Sequence, residues 1–273
     1  MSRMYVTDAL WEEIEPLLPK HPPSPKGGAP RKDDRKCLEG IIHVLKTGCQ
    51  WQSLECCRRW PSGSTCWRRF AEWTAAGVWP ALHRKLLHIL GQAGQIDLDT
   101  AVVDSASVRA VFGGGHTGPN PTDRGKNGCK RHVISDAAGI PLLVCTTPAN
   151  VRDEQPLLAM LDAMPAVRMP RGRPRRKPGR LVGDRGYGFK ATIAEVVQRR
   201  IGPLLARRGS GHGSGMGRVR YVIERTLSWI GNYRRIKLCY ERTGAHWQAF
   251  NELAACLICA NRVETLKQEQ SIA

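Results

Sequence analysis

The sequence from about Leu98 onward alternates short apolar runs, separated by Gly and Pro, with stretches of helical periodicity. This alternation limits the possible folds more than any other feature, because strands interleaved with helices are typical of a sheet covered by helices. Eight elements are predicted in chain order: strands at 101–103, 129–137 and 140–148, a helix at 153–164, a strand at 181–182, a helix at 191–200, a strand at 201–205 and a helix at 218–237. The order β-β-β-α-β-α-β-α predicts an α/β fold with a mixed sheet between helices.

This order is that of an RNase H-like domain, to which we assign residues 96–273. Residues 1–95 are predicted to form an all-α unit with helices at 8–18 and 34–46 and a later helix capped by Ser64. That later helix carries Trp67 in its apolar stripe and arginines on its other side. Short helices joined by tight turns favour a helix-turn-helix-like DNA-binding domain. A plain helical bundle with solvated arginines is the alternative.

Three acids stand at positions that suggest chemistry. Asp104 ends the apolar strand TAVVD, Asp184 ends RLVGD, and Glu224 lies at the edge of the apolar face of the basic helix RVRYVIERTLSW. Side chains at the ends of neighbouring strands project into one crevice, so Asp104 and Asp184 are expected to lie close together. Carboxylates suit Mg²⁺, and two such ions about 4 Å apart would activate a water or a 3′-hydroxyl. Taken singly, each acid has an ordinary alternative, as a strand-end turn former or as the helical partner of Arg220.

The net charge of +18 predicts a polyanionic partner, and double-stranded DNA is the first candidate. Two basic, Gly-rich stretches, Gly113–Lys130 and Met169–Arg180, are predicted to be loops that contact phosphates, although a solvated linker is the alternative for the second. The predicted DNA contacts are Arg68, Arg69, Arg124, Lys126, Lys130, Arg173, Arg175, Arg176, Arg220, Arg225, Arg234, Arg235 and Lys237.

Neither an apolar signal region nor a stretch of membrane-spanning length is found in the sequence. We therefore expect a cytoplasmic, nucleoid-associated protein without a membrane partner. The ten cysteines lack a zinc pattern, because Cys56 and Cys57 are adjacent and Cys256 and Cys259 form a lone C-x-x-C in an apolar run. Buried cytoplasmic thiols are the expected state of these side chains.

Two motifs near the end of the chain are quite specific when they occur together in this order: GDRGYG and then VIERTLSWIGNYRR. They follow the segments VDSASVRA and TGPNPTDRGKNGCKRHVISDAAGIPL. With VTDALWEEIEPLLP near the start, the sequence resembles the DDE transposases of the bacterial insertion-sequence family five over nearly its whole length. The resemblance implies that Asp104, Asp184 and Glu224 are the catalytic acids and hold two Mg²⁺ ions, for which Mn²⁺ can substitute. It also implies a homodimer on the terminal inverted repeats of the element.

The resemblance further implies cleavage at the element ends and transfer of the 3′-hydroxyls into target DNA. In the related signature Y-x2-R-x3-E-x6-K, Arg220 matches the arginine, whereas Gly217 and Gly231 stand at the tyrosine and lysine positions. The residues alone indicate only metal-dependent phosphodiester cleavage on a basic scaffold. Three alternatives remain open at this point: an RNase H-like nuclease or resolvase without strand transfer, a non-enzymatic sequence-specific DNA-binding regulator, and an inactive transposase copy.

Overall fold

The N-terminal part of the chain is helical, and side-chain caps define where its helices begin. The computed structural model describes residues 5–22, 27, 30–57, 59–206 and 217–272. The hydroxyl of Thr7 accepts the N–H of Leu10 at the start of the first helix, and Asp33 accepts the N–H of Lys36 at the start of the second. The helices here are α1 (Asp8–Ile14), extended by a 3₁₀ turn (Glu15–Leu17), α2 (Asp34–Thr47), a 3₁₀ segment (Trp51–Cys57), α3 (Gly63–Ala75) and α4 (Val78–Gln92).

Helix α3 begins two residues earlier than the sequence predicts. Its cap is Ser62 and not Ser64, because the Ser62 hydroxyl accepts the N–H of Thr65. Gly63, the first residue of the helix, lies against the backbone of Trp51, where an added Cβ would be 1.9 Å from the carbonyl oxygen. Phe70 of this helix is fully buried, but Trp67 is 40% exposed, so the assignment of Trp67 to the apolar stripe is wrong.

A mixed sheet forms the centre of the remaining chain. Its strands are β1 (Thr100–Arg109), the short β2 (Gly118–Pro119), β3 (Asn127–Asp136), β4 (Pro141–Pro148), β5 (Arg180–Gly183) and β6 (Gly202–Leu205). Strands β4, β3 and β1 are antiparallel neighbours, and β1, β5 and β6 continue the sheet in parallel, while β2 also pairs with β3. The order β4-β3-β1-β5-β6 confirms the predicted RNase H-like arrangement.

The later helices are α5 (Leu157–Ala163), α6 (Lys190–Gln198), α7 (Gly217–Gly231) and α8 (Gly244–Ile272). Helix α5 starts later than predicted, with Pro156 at its cap, because a proline disfavours the helical conformation at the residue before it. Helix α7 ends at Gly231 and not at Lys237, and a 3₁₀ turn (Arg234–Ile236) follows it. Ile223 and Ile230 of α7 are buried as predicted, and the helix packs on β1, β3 and β5.

One continuous hydrophobic core joins the N-terminal helices to the sheet. Helix α8 provides the link, because it packs along α4 and its Phe250 ring stacks on Phe70 with 4.2 Å between ring centroids. The division of the chain at residue 95 therefore stays a prediction. Across the parts of the chain that the structure describes, none of the helices combines the length and the apolar character needed to span a bilayer.

Candidate active site

Asp104 and Asp184 are brought side by side by the register of two parallel strands. The last paired residues of β1 and β5 are Val102 and Val182, and each aspartate lies two residues beyond its valine. Both side chains therefore point to the same face of the sheet from neighbouring strands, which are spaced about 4.8 Å apart. Asp184 follows the end of β5 as predicted. Asp104 does not end its strand, because β1 continues to pair with β3 up to Arg109 after it leaves β5.

A third carboxylate, which the sequence reasoning missed, belongs to the same site. Burial and then the charges of Asp153, Asp104 and Asp184 raise the pKa of Tyr187 well above its ordinary value. Tyr187 is 1% exposed, and its hydroxyl is neutral. The charges of all three aspartates act on this hydroxyl. Asp153 lies in the turn after β4, and the only sequence signal for it is an acid in VRDEQ soon after a strand end.

Asp153 is held by two hydrogen bonds. Its Oδ1 accepts from the hydroxyl of Ser105 at 2.7 Å and from Nζ of Lys130 at 2.9 Å. Burial raises the pKa of the Asp153 carboxyl, but the bonds from Lys130 and Ser105 outweigh this and lower it below its ordinary value. The carboxylate is therefore charged near neutral pH. Lys130 also donates to the carbonyl of Val151.

A glycine in the turn after Asp184 lets two carboxylates come close to the backbone. The N–H of Gly186 donates to Oδ1 of Asp184 at 2.7 Å, which fixes the orientation of the carboxylate. A Cβ at Gly186 would lie 2.9 Å from that oxygen and 3.3 Å from Oδ2 of Asp153. The glycine in GDRGYG thus allows two carboxylates to approach the same backbone segment.

Glu224 is exposed on α7, the helix that packs on the strands leading to both aspartates. Two contacts fasten this helix to the turn between β3 and β4: Thr226 Oγ1 donates to the carbonyl of Gly139 at 2.8 Å, and Arg225 donates to that of Ala138 at 2.6 Å. Among the described residues, no three of these acids have ligand oxygens within 4.8 Å of one another. The acids therefore do not converge on a single point. We call the region beyond the paired ends of β1 and β5, together with the part of α7 that carries Glu224, the acidic cleft.

The donor set fits divalent metal ions of the magnesium type. Each acid of the cleft offers carboxylate oxygens, which are the ligands that Mg²⁺ and Mn²⁺ prefer. The ionised state of Asp153 and the fixed orientation of Asp184 both favour cation binding.

The predicted DNA contacts fall into different environments. Eight are exposed: Arg68, Arg124, Lys126, Arg173, Arg175, Arg176, Arg234 and Lys237. Two of these and three less exposed ones bond to the protein: Arg175 to Asp99, Arg176 to the carbonyl of Asp162, Arg69 to Asp34 and Glu72, Arg225 to the carbonyl of Ala138, and Lys130 to Asp153. Arg220 belongs to α7, but its side chain lies outside the described residues.

Arg235 is incompatible with the predicted DNA contact. Its side chain is 10% exposed and is paired with Glu241, with 2.8 Å between Nε and Oε1. The reason is the early end of α7, since the following 3₁₀ turn directs Arg235 into the protein and not along a helix surface.

Comparison with known proteins agrees with this architecture. Residues 96–261 match the family model of the transposase DDE domain, and residues 6–83 match that of a putative transposase of the IS4/5 family. The chain is 42% identical over 152 residues to a putative transposase for insertion sequence element IS402 of Burkholderia cepacia, a match that covers 56% of this chain and 72% of the relative. An uncharacterized 16.2 kDa protein of insertion element IS402 from Burkholderia cepacia is 46% identical over 125 residues, covering 44% of this chain and 84% of the relative.

A solved structure of a pre-cleavage Mos1 transpososome aligns with 90% of this chain and 82% of its own chain. Its sequence identity of 11% and TM-score of 0.27 are too low to bear on the site. The match to the DDE domain covers more than half of the chain, and the IS402 relative is matched over most of its length. The chain therefore belongs to the DDE transposases of insertion sequences.

Proposed function

We propose that this transposase cleaves DNA at the ends of its element and joins the 3′-hydroxyls to target DNA, with Asp104, Asp184 and Glu224 as its catalytic acids. The observation that carries the proposal is the equal offset of Asp104 and Asp184 beyond the last paired residues of β1 and β5. Glu224 is supported by its position on the helix packed over those strands.

DDE transposase domains use divalent metal ions. We propose that the ions here are two Mg²⁺, replaceable by Mn²⁺, because the cleft offers oxygen ligands from acids on several elements. Bound there, the ions would activate a water or a 3′-hydroxyl and stabilise the departing oxygen of an in-line displacement. Asp104 and Asp184 would hold them from the sheet, and Glu224 would do so from α7.

Neighbouring residues have supporting roles in this scheme. The hydrogen bond from Gly186 keeps one oxygen of Asp184 occupied and directs the rest of the carboxylate toward the cleft. Lys130 offsets the charge of Asp153, which limits repulsion among the aspartates before cations bind. The neutral Tyr187 hydroxyl packs among the carboxylates without adding charge.

We propose that the DNA partner is the double-stranded terminal inverted repeat, together with target DNA, bound by a homodimer. A net charge of +18 and exposed cations such as Arg124 and Lys126 in the loop before β3 support electrostatic binding to phosphates. Binding of this kind weakens steeply as salt rises, so a flat salt response of DNA affinity would remove this part of the proposal.

The proposal is tested with a labelled duplex that carries the terminal repeat read from the DNA flanking the gene. Wild type is compared with Asp104→Asn and Glu224→Gln in the presence of Mg²⁺ or Mn²⁺. Asp162→Asn is a matched control, because this acid is exposed and is paired with Arg199 outside the cleft. Metal-dependent nicks at the repeat boundary and joined products are expected from wild type and the control only.

Three other outcomes would contradict all or part of the proposal. Cleavage without joined products would favour a nuclease or resolvase. Specific binding without metal-dependent cleavage would favour a DNA-binding regulator or an inactive copy. Full activity of Glu224→Gln with loss in Asp104→Asn would remove Glu224 alone from the set of catalytic acids.

A further inference from the structure

Three metal ligands meet beside the C-terminal end of β1, past Asp104. His116 comes from the loop after β1, Cys129 from the start of β3, and Cys239 from the segment between α7 and α8. One ligand atom from each lies within 4.8 Å of the others. Both cysteine side chains are fully buried and their thiols are in hydrogen-bond contact. We call this set the His–Cys–Cys cluster.

The spacing within the cluster is close to that of a tetrahedral zinc site. Zinc binds thiolate sulfur at about 2.3 Å and imidazole nitrogen at about 2.0–2.1 Å, so a sulfur and a nitrogen on one tetrahedral ion are about 3.6 Å apart. In the structure, Nε2 of His116 and Sγ of Cys239 are 3.5 Å apart. Little movement of these two ligands is therefore needed to bind an ion.

The imidazole is held in place by close packing on two glycines. A Cβ added at Gly114 would lie 3.0 Å from Cε1 of His116, and one added at Gly244 would lie 3.0 Å from its Cβ. Gly114 has φ of 130°, a conformation that side-chain-bearing residues rarely adopt. The loop is closed by Thr117, whose hydroxyl donates to the Gly114 carbonyl at 2.7 Å.

The two cysteines are also fixed by the backbone. The N–H of Cys239 donates to the carbonyl of Arg109 at 2.8 Å, and its carbonyl accepts from the N–H of Val111 at 2.9 Å. Cys129 lies in β3 directly opposite Val108 of β1. The backbones of both cysteines are thus attached to the same stretch of β1, which holds the two residues close to each other.

We propose that His116, Cys129 and Cys239 bind one zinc ion, with a water as the fourth ligand. Binding replaces the two thiol protons, which are released to solvent, and leaves two thiolates and a neutral imidazole on the ion. The thiol contacts to the carbonyls of His116 and Glu241, at 3.6 and 3.7 Å, are given up in exchange.

This site is distinct from the acidic cleft in both place and chemistry. Asp104 and Val108 are four residues apart on β1, which is about 13 Å along an extended strand. Thiolate and imidazole ligands select zinc, whereas the carboxylates of the cleft suit magnesium. A zinc ion would fasten the end of β1 to the segment that follows α7, the helix carrying Glu224. The inference does not rest on the proposed catalytic role of the acids.

The first test measures metal bound by the full chain, purified under reducing conditions without chelator. About one zinc ion per chain is expected. Replacement of zinc by Co²⁺ is expected to produce thiolate-to-cobalt charge-transfer absorption and the visible bands of a tetrahedral ion. Reduced, folded wild-type protein that takes up neither Zn²⁺ nor Co²⁺ would overturn the proposal without any variant, and this outcome is independent of DNA cleavage.

Variants then identify the ligands. Cys129→Ser and His116→Gln are expected to lose the cobalt bands, whereas Cys145→Ser, a half-buried cysteine in β4, is expected to keep them. Circular dichroism checks that each variant is folded. Equal loss in Cys145→Ser, or retention of the bands in both cluster variants, would contradict the assignment. A disulfide between Cys129 and Cys239, found by mass spectrometry in protein whose reduced form binds no metal, would also overturn it.

Discussion

A buried ion pair just after α7 is expected to contribute strongly to stability. The side chains of Arg235 and Glu241 are 10% and 6% exposed. Oε1 of Glu241 accepts from Nε of Arg235 at 2.8 Å and lies 2.6 Å from its Nη2. A further acceptor for the guanidinium is the carbonyl of Cys49 at 3.4 Å, which is a long hydrogen bond. The Arg235 side chain also lies over the ring of Phe250 in α8.

The perturbation is Glu241→Ala, which leaves a buried guanidinium without its carboxylate. Removing one partner of a buried pair costs about 3–5 kcal/mol, because the remaining charge is neither solvated nor compensated. This is a large part of a typical free energy of unfolding of about 5–15 kcal/mol. At about 2–4 °C per kcal/mol for a chain of this size, the melting temperature should fall by roughly 6–20 °C.

The assay is thermal unfolding followed by circular dichroism. Asp123→Ala is the matched control, because it removes the acid of an exposed pair with Arg109 and should change the melting temperature little. A double variant, Arg235→Met with Glu241→Leu, should be close to wild type, since replacing both partners removes the uncompensated charge. A Glu241→Ala melting temperature no lower than that of the Asp123→Ala control would refute the reasoning.

Three further predictions concern the core, pH and DNA. Gly183→Ala should lower stability by about 1–3 kcal/mol and impair cleavage. The reason is that the new Cβ would lie 2.9 Å from Leu205 and 3.1 Å from Tyr187, beside the acidic cleft. An unchanged melting temperature and unchanged cleavage would contradict this prediction. Burial lowers the pKa of His83 from 6.5 to about 4. The unfolded chain therefore binds more protons than the folded chain between pH 6.5 and about pH 4, and about 3 kcal/mol of stability should be lost as the pH falls through this range. Urea unfolding at pH 7 and pH 4.5 checks this loss, which should be smaller in His83→Gln; an equal loss in that variant would exclude His83 as its source. Replacing Arg124 and Lys126 together by alanine should reduce the salt slope of DNA affinity by about 2, and an unchanged slope would mean that neither contacts a phosphate.

The sequence predicts the parts of the fold that have a local signal. Apolar strands bounded by Gly and Pro identify β1, β3, β4 and β5, and the helical period identifies the buried face of α7. The sequence does not predict helix α8 as a continuous element. The middle of this helix is buried on most sides, so its apolar residues do not recur with a helical period. The end of α7 depends on Gly231 and on the packing of the residues that follow it. The sequence does not reveal this end, because basic residues continue at regular spacing beyond it.

The candidate site divides in the same way. Asp104 and Asp184 are recognisable because each follows an apolar strand, and pairing of those strands brings them together. Asp153 lies in an irregular turn, and its place among the aspartates depends on contacts between distant parts of the chain. Charge alone does not distinguish the buried Arg235 from the exposed Arg234. The His–Cys–Cys cluster has no local spacing, since His116 is 13 residues from Cys129 and 123 residues from Cys239.

The most direct test of the central claim compares wild type and Asp184→Asn for Mg²⁺-dependent cleavage and strand transfer on the terminal-repeat duplex, with DNA affinity measured for both. The substitution keeps the size of the side chain and an oxygen for the Gly186 hydrogen bond, but it removes the charge that would hold a metal ion. We predict no cleaved or joined products from Asp184→Asn and a dissociation constant for DNA close to that of wild type. Comparable cleavage by the variant would contradict a metal-dependent active site at this position.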